Sequence, residues 1–286
     1  MTLIAARDLA ARLARPDDIR VVDVRWYLGR PGDGRRAFDE GHIPGAIHLD
    51  IDADLVAPEG PGRHPLPSPS AFKRRLEAAG IGDRHLVVAY DDAGGSVAAR
   101  LWWMLDDLGH RATAVLDGGF PAWLAAGLPV VSSAEEAAPP PEPATLTLAE
   151  RWSKVIDRDT LRDRLGRLVV LDARAGARYR GEVEPIDPVA GHIPTALSAP
   201  VDGNVGPDGR LLSAAELARR YRDLDAGGSG VVVYCGSGIT ACDIALARRV
   251  AGLPDPILYP GSYSDWSRSG MPVVTGTEPG SADLAG

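Results

Sequence analysis

Short blocks of β-branched and other apolar residues recur along the chain, each closed by a polar or glycine-rich stretch. Residues 20–24 (RVVDV), 86–90 (LVVAY), 114–116 (AVL), 169–174 (VVLDAR) and 231–234 (VVVY) read as buried strands. Between them, residues 5–13, 70–79, 97–108 and 242–250 read as helices. Ser68 or Ser70 starts the second of these and Gly80 stops it. Residues 25–39 are polar and rich in glycine and read as loop, whereas 117–123 open a further short helix. Strands that alternate with helices predict an α/β fold with a parallel sheet.

The pattern occurs twice. VVLDAR at 169–174 repeats VVDVR at 21–25, and GHIPTA at 191–196 repeats GHIPGA at 41–46. Residues 231–234 repeat 86–90, residues 260–266 repeat 117–123, and GMPV at 270–273 repeats GLPV at 127–130. Five matched segments in one order predict two tandem domains, at residues 1–131 and 144–286. Between them, residues 132–143 (SSAEEAAPPPEP) have four prolines and no apolar periodicity, the composition of a semi-extended linker.

The duplication also separates the halves chemically. The strand at 231–234 ends in Cys235, followed by Gly236, Ser237, Gly238, Ile239 and Thr240, and then by a helical pattern. The carboxyl edge of a parallel sheet is where α/β folds bind ligands. Loop N–H groups and a helix N-terminus favour an anion there. For a cysteine that anion can be its own thiolate, which is the nucleophile. The bland alternative is a small buried hydrophobe. In the first half Asp91 stands where Cys235 stands, so cysteine chemistry belongs to the second half, and the first supports, shapes or closes the site.

Composition narrows the classes. The chain has 286 residues, 45% of them hydrophobic and 24% charged, as in ordinary globular domains. A net charge of −8 and the lack of a basic cluster argue against nucleic acid. No apolar run reaches the length of a membrane span, and the amphipathic first residues do not resemble a secretory signal. The two cysteines, Cys235 and Cys242, lie seven residues apart on one loop and helix and form no plausible staple, which points to a reducing cytoplasm. There is no CxxC pair and no Cys/His cluster, so no metal site is expected.

The paired GHIP segments, the DGGFPAW-type turns and the loop CGSGITAC resemble the rhodanese superfamily of sulfurtransferases in its tandem form, with an inactive N-terminal and an active C-terminal domain. The loop is very similar to that of 3-mercaptopyruvate sulfurtransferases; thiosulfate-specific rhodaneses usually carry a basic residue where Ser237 stands. The resemblance implies that Cys235 takes a sulfane sulfur from a small donor, 3-mercaptopyruvate or thiosulfate, and becomes a persulfide. A thiol, a thioredoxin-like protein or cyanide then removes the sulfur. No metal or organic cofactor is implied, because the hard step is thiolate attack on sulfur.

The resemblance assigns further residues. Arg178 matches the arginine that binds the donor's carboxylate or sulfonate, a role suited to a bidentate guanidinium, with a surface ion pair as the alternative. Arg180 is a weaker candidate for the same role. Animal-type mercaptopyruvate enzymes carry a second arginine shortly before the second GHIP; here that segment is EPIDPVA, without one. Gly236, Gly238, Ile239 and Thr240 line the donor through the loop, and Ser237 donates to the substrate or carries a proton. Thr240 is also placed to cap the helix that follows. His42 matches a histidine expected across the domain cleft near the loop serine, with Asp33 to orient it; its repeat, His192, favours a fold role instead. Cys242 reads as core, with a redox role as the alternative.

Two other classes use a strand-end cysteine on this kind of fold or lack one altogether. Dual-specificity phosphatases need C-x5-R, but Ala241 stands six residues after Cys235. A non-catalytic binding module is what the first half alone resembles.

Overall fold

The computed structural model describes residues 2–14, 18–135 and 144–285, so the proline-rich stretch 136–143 at the heart of the expected linker lies outside the described residues. The chain forms two compact units. The first holds a five-stranded sheet of β1 (Leu3–Ile4), β2 (Ile19–Asp23), β3 (Ile47–His48), β4 (Leu86–Tyr90) and β5 (Thr113–Leu116) in the order β1-β5-β4-β2-β3. The second holds β6 (Val169–Asp172), β7 (Ala196–Ser198), β8 (Val231–Tyr234) and β9 (Ile257–Leu258) in the order β7-β6-β8-β9. Every strand pair is parallel. The second sheet is the first without its edge strand, and a single parallel bridge from Val155 to Leu258 stands in that edge's place.

Apolar alternation builds the layers. In the first unit Val21, Val88, Tyr90, Ala114 and Leu116 face a core with Leu9, Phe38, Phe120 and Trp123. The alternate positions Val87, Ala89 and Val115 turn to the other face, and the helix Ala98–Asp107, buried at every position, packs on β4 and β5. In the second unit Val170, Val232 and Tyr234 pack with Leu161, Tyr179, Tyr263 and Trp266.

The repeated motifs are repeated structural clamps. Arg25 pairs with Asp23 at 2.6 Å and donates to Gly41 O at 2.7 Å; Arg174 pairs with Asp172 at 2.6 Å and donates to Gly191 O at 2.6 Å. Each arginine thus pins the start of a GHIP segment to a strand end. Trp123 Nε1 donates to Pro129 O and Trp266 Nε1 to Pro272 O, both at 2.8 Å.

Two sequence expectations need correction. The polar stretch 25–39 contains the helix Asp33–Glu40, which buries Gly34 and Phe38. With one large apolar side chain in eight residues, it carries no readable period. Thr240 occupies the N-cap position of Ala241–Val250 but makes no side-chain cap hydrogen bond, because its backbone is already αR at φ −71°.

Three short segments sit in the unit other than the one their place in the sequence suggests. Residues 144–153 and 206–211 pack in the first unit, and 57–66 packs in the second. Side-chain contacts explain each. Ser153 donates to Asp107 at 2.6 Å and Trp152 stacks on Trp103 with centroids 5.7 Å apart. Leu211 N donates to Asp117 at 3.1 Å. Within 57–66, Ala57 N closes the segment on Pro65 O at 3.0 Å, and Arg63 N donates to Ser264 Oγ at 3.0 Å.

Candidate active site

The candidate site lies in the second unit, where β8 is followed by Cys235. Cys235 is 2% exposed. Its backbone is fixed on both sides: N–H donates to Ser262 Oγ at 3.2 Å, and C=O accepts from Tyr263 N–H at 3.0 Å. Ser262 holds this position with φ +53°, unusual for a residue with a side chain. Its hydroxyl also donates to Tyr259 O at 2.9 Å.

The loop then curls over the sulfur. Gly238 N–H donates to Cys235 Sγ at 3.1 Å, the contact that stabilises a thiolate or a sulfur carrying negative charge. Gly238 has φ +84°, and a Cβ there would meet Pro260 O at 2.5 Å, so only glycine fits. Gly236 O accepts from Ser264 N–H at 2.9 Å. Ile239 is buried and Cys242 Sγ lies 3.6 Å from Gly238 O, so Cys242 packs under the loop.

The first unit gives the same loop with a different occupant. There Asp91 takes the place of Cys235, and its carboxylate accepts from Ala93, Gly95, Val97 and Ala98 N–H at 2.7–2.9 Å. Phe120 N–H donates to Asp91 O at 2.7 Å, the counterpart of Tyr263 and Cys235. The loop architecture is therefore an anion cradle, and in the first unit its own side chain fills it.

Two guanidiniums converge on the outer side of Gly236. A Cβ on that glycine would lie 3.0 Å from Arg63 Nη2 and 3.3 Å from Arg178 Nη1. Arg178 is held by Glu184 at 2.7 Å and Asp187 at 3.2 Å, and Arg63 also pairs with Asp187. Burial would raise the Glu184 carboxyl, but hydrogen bonds from Arg178 and from the Asp187 and Ile186 N–H groups outweigh it and hold its pKa low. Beside them, His64 Nδ1 and Ser237 Oγ are 2.7 Å apart.

The model of the rhodanese-like domain matches residues 5–126 and again 157–269. The chain belongs to the rhodanese-like family. It is similar over nearly its whole length to a Pseudomonas aeruginosa protein named "Probable 3-mercaptopyruvate sulfurtransferase", with 45% identity over 96% of this chain and 98% of the relative. Thiosulfate sulfurtransferase of Rattus norvegicus is 35% identical over 89% of this chain and 86% of the relative. Among solved structures, 3-mercaptopyruvate sulfurtransferase from Leishmania major superposes with a TM-score of 0.82 at 31% identity, over 93% of this chain and 74% of that one. This rhodanese-family chain is an enzyme of the sulfurtransferase class.

Of the residues singled out in the sequence, the rhodanese loop brings together Cys235, Gly236, Ser237, Gly238, Ile239 and Thr240, and Arg178 lies beside them. Arg180 is paired with exposed Glu182 at 2.7 Å. His42 is in the first unit, where Nδ1 bonds Phe38 O at 2.8 Å and the ring stacks on Phe38 at 3.8 Å. His192 repeats both contacts with Tyr179, at 2.8 and 3.7 Å. Asp33 pairs with Arg30 and Arg36.

Four residues around the candidate loop, His64, Arg63, Glu184 and Asp187, carry no functional signal in the sequence. Arg63 and His64 sit on the 57–66 segment, which has no counterpart among the repeated motifs and lies far from the loop in sequence. Glu184 and Asp187 lie in a segment that stands out in the sequence only by its lack of an arginine.

Proposed function

We propose that the chain moves a sulfane sulfur from 3-mercaptopyruvate to a thiophilic acceptor through a persulfide on Cys235. The observation that carries this reading is Cys235 Sγ under the Gly238 N–H, in a loop whose Gly236 meets two guanidiniums and whose Ser237 meets His64. The thiolate of Cys235 attacks the donor's sulfur. An S–S bond forms, the donor's C–S bond breaks, and its electron pair becomes the enolate of pyruvate. With a proton on Nδ1, His64 donates to Ser237 and leaves the hydroxyl proton to meet the enolate. The acceptor, a small thiol, a thioredoxin-like protein or cyanide, attacks the outer sulfur and releases the Cys235 thiolate.

Arg178 binds the donor's carboxylate, supported by its position over Gly236. Gly236, Gly238, Ile239 and Thr240 form the backbone wall of the donor site. Cationic groups beside the loop also suit a dianion, and thiosulfate is the second donor. The names of the relatives support both donors. A reducing, cytoplasmic setting goes with the reading, since both cysteines are free and buried. Among the described residues no helix is long and apolar enough to cross a membrane.

The experiment that tests the donor is a side-by-side kcat/KM for 3-mercaptopyruvate and thiosulfate, with pyruvate or sulfite measured against sulfur delivered to a thiol. The expected result is a higher value for 3-mercaptopyruvate, with one pyruvate per sulfur. A higher value for thiosulfate would make it the principal donor.

A further inference from the structure

Arg63 has no part in the family pattern read from the sequence, yet its guanidinium is the group nearest to a Cβ built on Gly236, at 3.0 Å. Arg178 reaches the same spot from another segment, at 3.3 Å. Both are anchored from behind on one carboxylate, Asp187, whose side chain is fully buried and which Arg268 also meets at 3.2 Å. Glu184 holds Arg178 and Arg174, and Asp172 holds Arg174. In this network four guanidiniums, those of Arg63, Arg174, Arg178 and Arg268, meet three carboxylates, so a surplus positive charge sits beside the loop. Arg63 Nε is moreover a buried donor with no hydrogen-bond partner. A buried N–H without an acceptor is costly, and an anion's oxygen would relieve it.

We propose that Arg63 is a donor-binding and specificity-determining residue, gripping the donor's anionic end together with Arg178. It supplies the second guanidinium that residues 184–190 lack. In their place that segment offers Glu184 and Asp187, which orient the arginines instead. Resting on the sulfurtransferase reading, the proposal explains how a segment without an arginine still serves a carboxylate donor. Arg178 spends Nε and Nη2 on Glu184 and Asp187 and keeps Nη1 for the donor, whereas Arg63 offers its Nε–Nη2 edge, so the two together can hold a planar carboxylate and a neighbouring keto oxygen that Arg178 alone cannot.

The test is steady-state kinetics of Arg63→Ala, Arg63→Lys and Arg178→Ala with 3-mercaptopyruvate and with thiosulfate, alongside competitive inhibition by pyruvate, which carries the carboxylate and keto groups but no sulfur. Asp187 keeps Arg178 and Arg268 when Arg63 is shortened, so the variant should fold; a thermal melt checks this, and Arg63→Gln replaces it if the alanine variant does not fold. Removing one charge-assisted hydrogen-bonding group should raise KM for 3-mercaptopyruvate and Ki for pyruvate roughly tenfold or more, with kcat changed far less. Arg63→Lys should restore only part of that binding, because the fork is gone. Unchanged KM and Ki in Arg63→Ala, with Arg178→Ala impaired, would overturn the role of Arg63 and leave the donor reading standing. A wild type that ignores 3-mercaptopyruvate and pyruvate would sink the donor reading instead. In that case a raised KM for thiosulfate in Arg63→Ala would still support the anion-binding role, and an unchanged one would overturn it.

Discussion

His64 Nδ1 stands 2.7 Å from Ser237 Oγ, and both side chains are less than a tenth exposed. With a proton on Nδ1, a short buried contact of this kind fixes the hydroxyl's direction and gives it a proton source. It matters only for a donor whose leaving group must be protonated. The pyruvate enolate needs a proton; the sulfite that leaves from thiosulfate does not.

Ser237→Ala and His64→Ala should therefore each lower kcat for 3-mercaptopyruvate on the order of a hundredfold, and the double variant should cost little more than the worse single one. Turnover with thiosulfate should fall much less. Equal losses with both donors would mean that the pair only holds the loop in shape.

Cys235 is fixed by Ser262, Tyr263 and Gly238, while Cys242 lies beneath the loop. Cys235→Ser should abolish transfer and keep the fold, whereas Cys242→Ser should retain most activity. Donor without acceptor should add one sulfur, about 32 Da, to the wild type, and a reducing thiol should remove it. Intact-mass spectrometry reads this directly. The same mass increase in Cys235→Ser would move the sulfur elsewhere.

Much of this site is legible in the sequence because it is local. A strand run, a cysteine and a glycine-flanked turn are contiguous, and Gly238 declares its left-handed backbone by being glycine. The repeats expose the clamps as well: Asp23 with Arg25 recurs as Asp172 with Arg174. What stays hidden is non-local. His64 is separated from Ser237 by 173 residues, on a segment with no period and no repeat. A lone histidine between proline and arginine carries no signal of the hydroxyl it meets. His42, by contrast, stands out through its motif, and the structure gives it the same ring-stacked, carbonyl-bonded setting as His192. Short polar helices such as Asp33–Glu40 escape notice for a different reason: tertiary packing of Phe38, not periodicity, makes them helices.

Acid stability should depend on Asp255. Burial would raise its carboxyl, but hydrogen bonds from Arg249 and Lys154, at 2.6–2.8 Å, prevail and hold it at about 2. A carboxyl whose folded pKa is depressed stabilises the fold above its unfolded value and loses that contribution as pH falls through the folded one. The window runs from the ordinary 3.8 down to about 2. All three side chains are about a quarter exposed, so solvent screens the pairs. Asp255→Asn should therefore lose on the order of 1 kcal/mol at neutral pH and show a flatter loss of stability across that window. Denaturant melts at a series of pH values test it. Parallel pH curves for the two proteins would show that the ion pairs contribute nothing net.

Donor choice should turn on the charge at position 237. Thiosulfate is a dianion whose leaving group keeps its charge beside the loop, so a cation at the loop's centre would stabilise it throughout the reaction. 3-Mercaptopyruvate carries one charge, at its carboxylate, and its leaving group needs a proton at the reacting end. Ser237 with His64 meets that need; a lysine there would add charge and break the 2.7 Å contact. The guanidiniums of Arg63 and Arg178 stand over Gly236, one residue away, so the wild-type loop already has cations at its side but none on it. Ser237→Lys should accordingly move the ratio of the two kcat/KM values toward thiosulfate on the order of tenfold or more, which is roughly 1.4 kcal/mol of differential transition-state binding. Both halves of the ratio should move, since the lysine helps one donor and removes the proton source of the other. Kinetics of both proteins with both donors, at one pH and one salt concentration, decide the matter. A wild type that already prefers thiosulfate, and a ratio unmoved by the lysine, would sink both the preference and the role given to Ser237.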